Sequence, residues 1–114
     1  MAATQVLSGT VPPGGTVITA PYQITQPGSG IAVDVRGNWT KIVPLGLQVM
    51  IANSIDSAVT WSQWTNILDL ASAVPFNLDT KLTSAVSPNA THVRFSVLNR
   101  DESTPVTATV SVTG

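Results

Sequence analysis

The sequence predicts an all-β fold: an antiparallel two-sheet β-sandwich, jelly-roll-like, of roughly seven or eight short strands. Three observations predict it. Thr and Val dominate the composition, and both are β-branched, stiff at χ1 and suited to a pleated surface. Apolar side chains recur with period two in several segments. Those segments are separated by stretches rich in Gly, Pro, Asn and Ser that read as turns. Each predicted strand has one oily face, which must be covered by another sheet.

The elements follow in order. Residues 1–15 read either as an N-terminal arm, with Pro12-Pro13-Gly14-Gly15 as a break, or as the first edge strand; residues 16–114 form a single sandwich domain. "TVITAPYQI" (Thr16 to Ile24) gives one strand bent at Pro21 or two short edge pieces. Ile31, Val33 and Val35 alternate with Ala32, Asp34 and Arg36, and Gly37-Asn38 reads as a turn. Leu47, Val49 and Ile51 form the next set, with Met50 making that strand apolar on both sides. Trp64 to Val74 carries Ile67, Leu68 and Ala71 at helical spacing; a strand through Leu70 is favoured, with a helical turn as the alternative. Val93, Phe95 and Val97, then Val106, Ala108, Val110 and Val112, give the clearest alternation. The polar loop Asn99 to Pro105 between them predicts a C-terminal hairpin of Ala90–Leu98 with Pro105–Thr113.

Charge narrows the function classes. Hydrophobic residues make up 43% of the 114-residue chain, charged residues only 10%, and the net charge is −1. Single, scattered Lys and Arg lack the clustered positive field that nucleic acid or an anionic membrane surface selects, so neither is an expected partner. The start "MAATQVLSG" has no basic and apolar leader, so no signal peptide is expected. The absence of Cys excludes a thiolate metal site and a thiol nucleophile.

Catalysis finds no constellation. His92 is the single histidine, and by alternation it shares a face with Arg94 and Ser96. A Ser–His pair on one strand lacks an orienting acid and oxyanion donors. Asp34, Asp56, Asp69 and Asp79 lie on four separate segments, and Asp101-Glu102 reads as a solvated loop tip. The expectation is a non-enzyme without cofactor or metal.

The most informative stretch is "NSIDSAVTWSQW" (Asn53 to Trp64), which holds two of the three tryptophans. Ser54, Asp56, Thr60 and Trp61 fall in the order S-x-D-x-A-x-T-W, which resembles the Asp-box hairpin S-x-D-x-G-x-T-W of sialidase propellers and several unrelated β domains. The resemblance implies a structural turn: an Asp accepting backbone N–H bonds, and a Trp packed beneath the loop. Ala58 stands at the glycine position, where a left-handed backbone is at issue. Strand alternation would send Trp61 and Trp64 to opposite faces. The expectation is Trp61 in the core and Trp64 outside, near Trp39. Trp39, Trp64, His92 and Arg94 form the candidate interaction surface, with Trp64 as a mere cover of a sheet edge the alternative.

The closing segment "THVRFSVLNRDESTPVTATVSVTG" and the Thr/Val/Ser-rich, charge-poor composition resemble small bacteriophage virion proteins of the capsid decoration (cement) type and fibre-base sandwiches. That resemblance implies a jelly-roll subunit, often a homotrimer, made in the host cytoplasm and docked in the virion on the major capsid protein or another virion protein. The alternative is a carbohydrate-binding module or adhesin domain that stacks a glycan on exposed Trp.

Overall fold

The computed structural model describes residues 3–26, 30–39, 43–72, 77–84 and 86–114. Among these residues nine strands are formed: β1 (Thr4–Val11), β2 (Thr16–Ile18), β3 (Tyr22–Gln23), β4 (Ile31–Asn38), β5 (Val43–Ser54), β6 (Thr65–Ser72), β7 (Asn77–Ser84), β8 (His92–Asn99) and β9 (Val106–Thr113). One sheet has the order β1-β9-β4-β7, the other β2-β8-β5-β6, with β3 also paired to β8. All pairings are antiparallel. Counted with β2 and β3 as one interrupted edge, this is the eight-strand order of a jelly roll, in which the chain crosses repeatedly between sheets.

The period-two pattern sets the core. Ile31, Val33 and Val35 of β4 and Val106, Ala108, Val110 and Val112 of β9 face Leu47, Val49 and Ile51 of β5 and Val93, Phe95 and Val97 of β8. All of these are buried. β2 and β3 are two pieces because Pro21 has no N–H for the ladder. Thr19 spans the gap: its N–H donates to Phe95 O at 2.9 Å, and its hydroxyl accepts the Phe95 N–H at 3.0 Å.

Three expectations need correction. First, Ala90–Leu98 and Pro105–Thr113 are not a hairpin: β8 pairs β5 and β9 pairs β4, in different sheets. The connecting loop carries the chain across the sandwich and is held by Asn99, which is fully buried. Its amide donates to Val11 O (3.2 Å) and Thr104 O (2.8 Å), and its Oδ1 accepts the Asp101 N–H (3.0 Å). Asp101 is not a free loop tip either; its carboxylate accepts the N–H groups of Ser103 (3.1 Å) and Thr104 (2.5 Å). Burial opposes its ionisation, but those backbone and hydroxyl donors together hold its pKa below the ordinary carboxylate value.

Second, Gly37-Asn38 is not a turn. It continues β4, paired with β7 on one side and β9 on the other. Third, the strand favoured through Leu70 is formed, as β6, but it runs on to Ser72, where an irregular link was expected. Ile67 and Leu68 are adjacent and both half-buried, which blurs the period on which the choice rests. β7 was not legible at all as a strand in sequence, since "NLDTKLTS" has few apolar side chains to alternate.

Candidate functional site

The site grows from the β5–β6 connection. Ser62 returns to β5 by an N–H bond to Asn53 O at 2.9 Å, while its hydroxyl accepts the Asn53 N–H at 3.0 Å. Between them the chain must reverse, and Asp56 shapes the reversal. Its Oδ1 accepts the Thr60 N–H at 2.9 Å and its Oδ2 the Thr60 hydroxyl at 2.5 Å. The Ser54 hydroxyl donates to Oδ1 at 2.7 Å and accepts the N–H groups of Asp56 (3.3 Å) and Ala58 (3.0 Å). These donors favour the ionised carboxyl, with the Thr60 hydroxyl and N–H first and the Ser54 hydroxyl after them. They hold Asp56 at about 2, down from 3.8.

Ser54, Asp56 and Thr60 therefore meet as the turn motif requires, and the left-handed backbone survives without glycine. Ser57 has φ 58° and Ala58 φ 69°. Thr91 ties the turn to β8: its N–H donates to Ser54 O at 2.7 Å, and its hydroxyl accepts the Ser57 N–H at 3.1 Å. His92 Nδ1 lies 2.9 Å from that hydroxyl. Thr91 leaves no sign in the sequence, because its turn partners Ser54 and Ser57 lie more than thirty positions away.

Two tryptophan assignments need correction. Trp39 does not belong to the interaction surface; it is 2% exposed and part of the core. Trp61 is not a core residue. It is half-buried, and so is Trp64. Residues 61–64 are not in a strand, so alternation does not separate them. Both rings instead flank Arg94, whose guanidinium carbon lies 4.4 Å from the Trp61 ring centre and 5.1 Å from that of Trp64. Arg94 projects from the outer face of β8, since its neighbours Val93 and Phe95 point into the core. It stands opposite Ala52 in register, and that alanine is 1% exposed on the same outer face. Indole faces attract a guanidinium, by about 0.5–1 kcal/mol at an exposed site.

Beside this stack, Asn53, Ile55, Thr60, Trp61 and Ser62 line an open recess of about 240 Å³. Ile55 and Val59 are 61% and 77% exposed at its turn. Sequence reasoning passed over both, although two β-branched apolar residues inside an otherwise polar turn were the available signal. Among the described residues, no group of three His, Asp or Glu side chains converges to hold a metal ion.

No protein-family model matches the chain, and no curated protein matches it in sequence. Solved structures do resemble it. A family 16 carbohydrate-binding module is 12% identical, with a TM-score of 0.56 over 94% of this chain and 76% of that one. A chain of infectious bursal disease virus, Gx strain, is 11% identical, with a TM-score of 0.61 over 97% of this chain but only 31% of the viral one. The C-terminal family 22 carbohydrate-binding module of Clostridium thermocellum Xyn10B is 9% identical, with a TM-score of 0.55 over 92% of this chain and 82% of that one. At such identities the likeness is one of fold, and it identifies the chain as an antiparallel β-sandwich of the kind that viral chains and carbohydrate-binding modules share.

Proposed function

We propose that this chain is a non-catalytic structural subunit of a virus particle, of the capsid decoration type, which works by docking on another virion protein. The observation that carries this reading is the exposure of Ile55 and Val59 on a turn clamped by Asp56. Apolar side chains held out on a rigid turn are ordered before binding, so contact costs little further entropy. Burying each contributes about 1.5–3 kcal/mol, and many copies on one particle multiply weak contacts into firm attachment. The fold shared with a viral chain supports the same reading. Light scattering and sedimentation test it. A trimer that pellets with particles supports it; a monomer that washes off them overturns it.

A second reading, a glycan-binding module, is favoured by one specific feature: the half-buried Trp61, which lines a recess also bordered by Asn53, Thr60 and Ser62. An aromatic ring beside amide and hydroxyl groups suits a sugar, which has an apolar face and a polar rim. On an array of neutral and acidic glycans, specific binding lost in Trp61→Ala or Trp64→Ala supports this reading, and an array without signal ends it.

A further inference from the structure

The guanidinium of Arg94 has no counter-charge among the described residues. Among the described residues, Arg36 pairs with Asp34 and Arg100 with Asp69. Among the described residues no hydrogen bond or ion pair reaches Arg94, and its Nε is buried without an acceptor. Asp56, the carboxylate of the adjoining turn, is spent on Thr60 and Ser54. Arg94 is nonetheless held in place, in contact with the rings of both Trp61 and Trp64. Ring contacts of this kind use the face of a guanidinium rather than its edge, and with Nε buried the two terminal nitrogens are the pair that could match a carboxylate with two parallel bonds. An ordered cation without an anion, half-buried on an outer sheet face, is a site awaiting one.

The recess says what kind of molecule brings that anion. Trp61 both contacts Arg94 and lines the recess, so the cation and the recess meet at that ring. Asn53 and Thr60 offer an amide and a hydroxyl there, and Ile55 an apolar wall. An isolated acidic side chain would use the guanidinium alone and leave the recess empty. A ring bearing both hydroxyls and a carboxylate would use both.

We propose that Arg94, held against Trp61 and Trp64 beside the recess, binds the carboxylate of an acidic sugar of the uronic acid class. This rests on the glycan reading of the site. The experiment titrates the protein with methyl β-D-glucuronide, methyl β-D-glucoside and N-acetylglutamate, following tryptophan fluorescence and the indole N–H resonances. Saturable glucuronide binding is expected, at least about tenfold tighter than that of the glucoside, with shifts at Trp61 and Trp64. Arg94→Gln should abolish that preference and Arg94→Lys should keep part of it, with circular dichroism confirming that both variants fold. Equal binding of glucoside and glucuronide would overturn the carboxylate site while leaving the glycan reading intact. Equal binding of N-acetylglutamate and glucuronide would overturn the sugar and leave a bare carboxylate reader. If no sugar binds here or on the array, the glycan reading fails and this inference with it.

Discussion

The Trp39 indole lies directly over the bare Cα of Gly37, two residues back along the same strand end: a Cβ at position 37 would meet the ring at 3.0 and 3.1 Å. Both residues are buried, so the ring has little room to retreat. This pairing explains why a glycine sits inside β4, where it would otherwise weaken the strand. Gly37→Ala is expected to destabilise the protein by about 1–3 kcal/mol, the range for an overpacked core. Urea denaturation measures it, and an unchanged midpoint would show that the ring moves freely.

The tryptophans should divide by burial. Trp39→Ala removes a core aromatic and is expected to cost about 3–5 kcal/mol. Trp61→Ala removes a half-buried ring whose described partner is Arg94, and should cost clearly less, roughly 1 kcal/mol. Equal losses in a thermal or denaturant series would contradict the placement of Trp61 on the outer face.

Ala58 pays a backbone penalty at φ 69°. A left-handed conformation costs an L-residue roughly 1–2 kcal/mol, part of which glycine gives back in lost chain entropy. Ala58→Gly should therefore raise stability by about 0.5–1 kcal/mol. Ala58→Val, with a branched Cβ in the same conformation, should lower it.

Asp56 gives the fold a pH dependence of known sign. Its folded pKa is depressed to about 2 from 3.8, so the folded state holds the ionised form more strongly than the unfolded chain does. The stabilisation is complete above the unfolded value and is lost as pH falls from about 4 through about 2. The lowered pKa of Asp101 acts in the same direction. Asp56→Asn should be less stable than the parent at pH 6, and the gap should close as pH approaches 2. Denaturant midpoints across that range test this; a gap independent of pH would refute it.

Docking and folding should separate at Ile55 and Val59. Replacing both with Ser is expected to leave stability within about 0.5 kcal/mol, because both are exposed. Attachment to particles should fall sharply in the same variant. Retained attachment would remove the turn from the docking surface.

Much of this protein follows from local chemistry that the sequence carries on its own. Period-two runs such as Val106 to Val112 determine both strand and inward face, because side chains alternate wherever a strand is regular. Pro21 determines the break between β2 and β3, and the spacing of Ser54, Asp56 and Thr60 determines the turn, since each acts within four positions. Tertiary structure alone decided the rest. Which sheet β8 and β9 join depends on partners far along the chain, and so β8 and β9 are separated although they adjoin in sequence. Trp39 is in the core because Gly37 leaves space for it. Trp61 and Trp64 share one side because residues 61–64 leave the strand and Arg94 arrives from β8 to fill the gap between them. Contacts between positions thirty or more apart leave no periodic trace, and it is such contacts that bring Thr91 and Arg94 of β8 to the locally encoded turn.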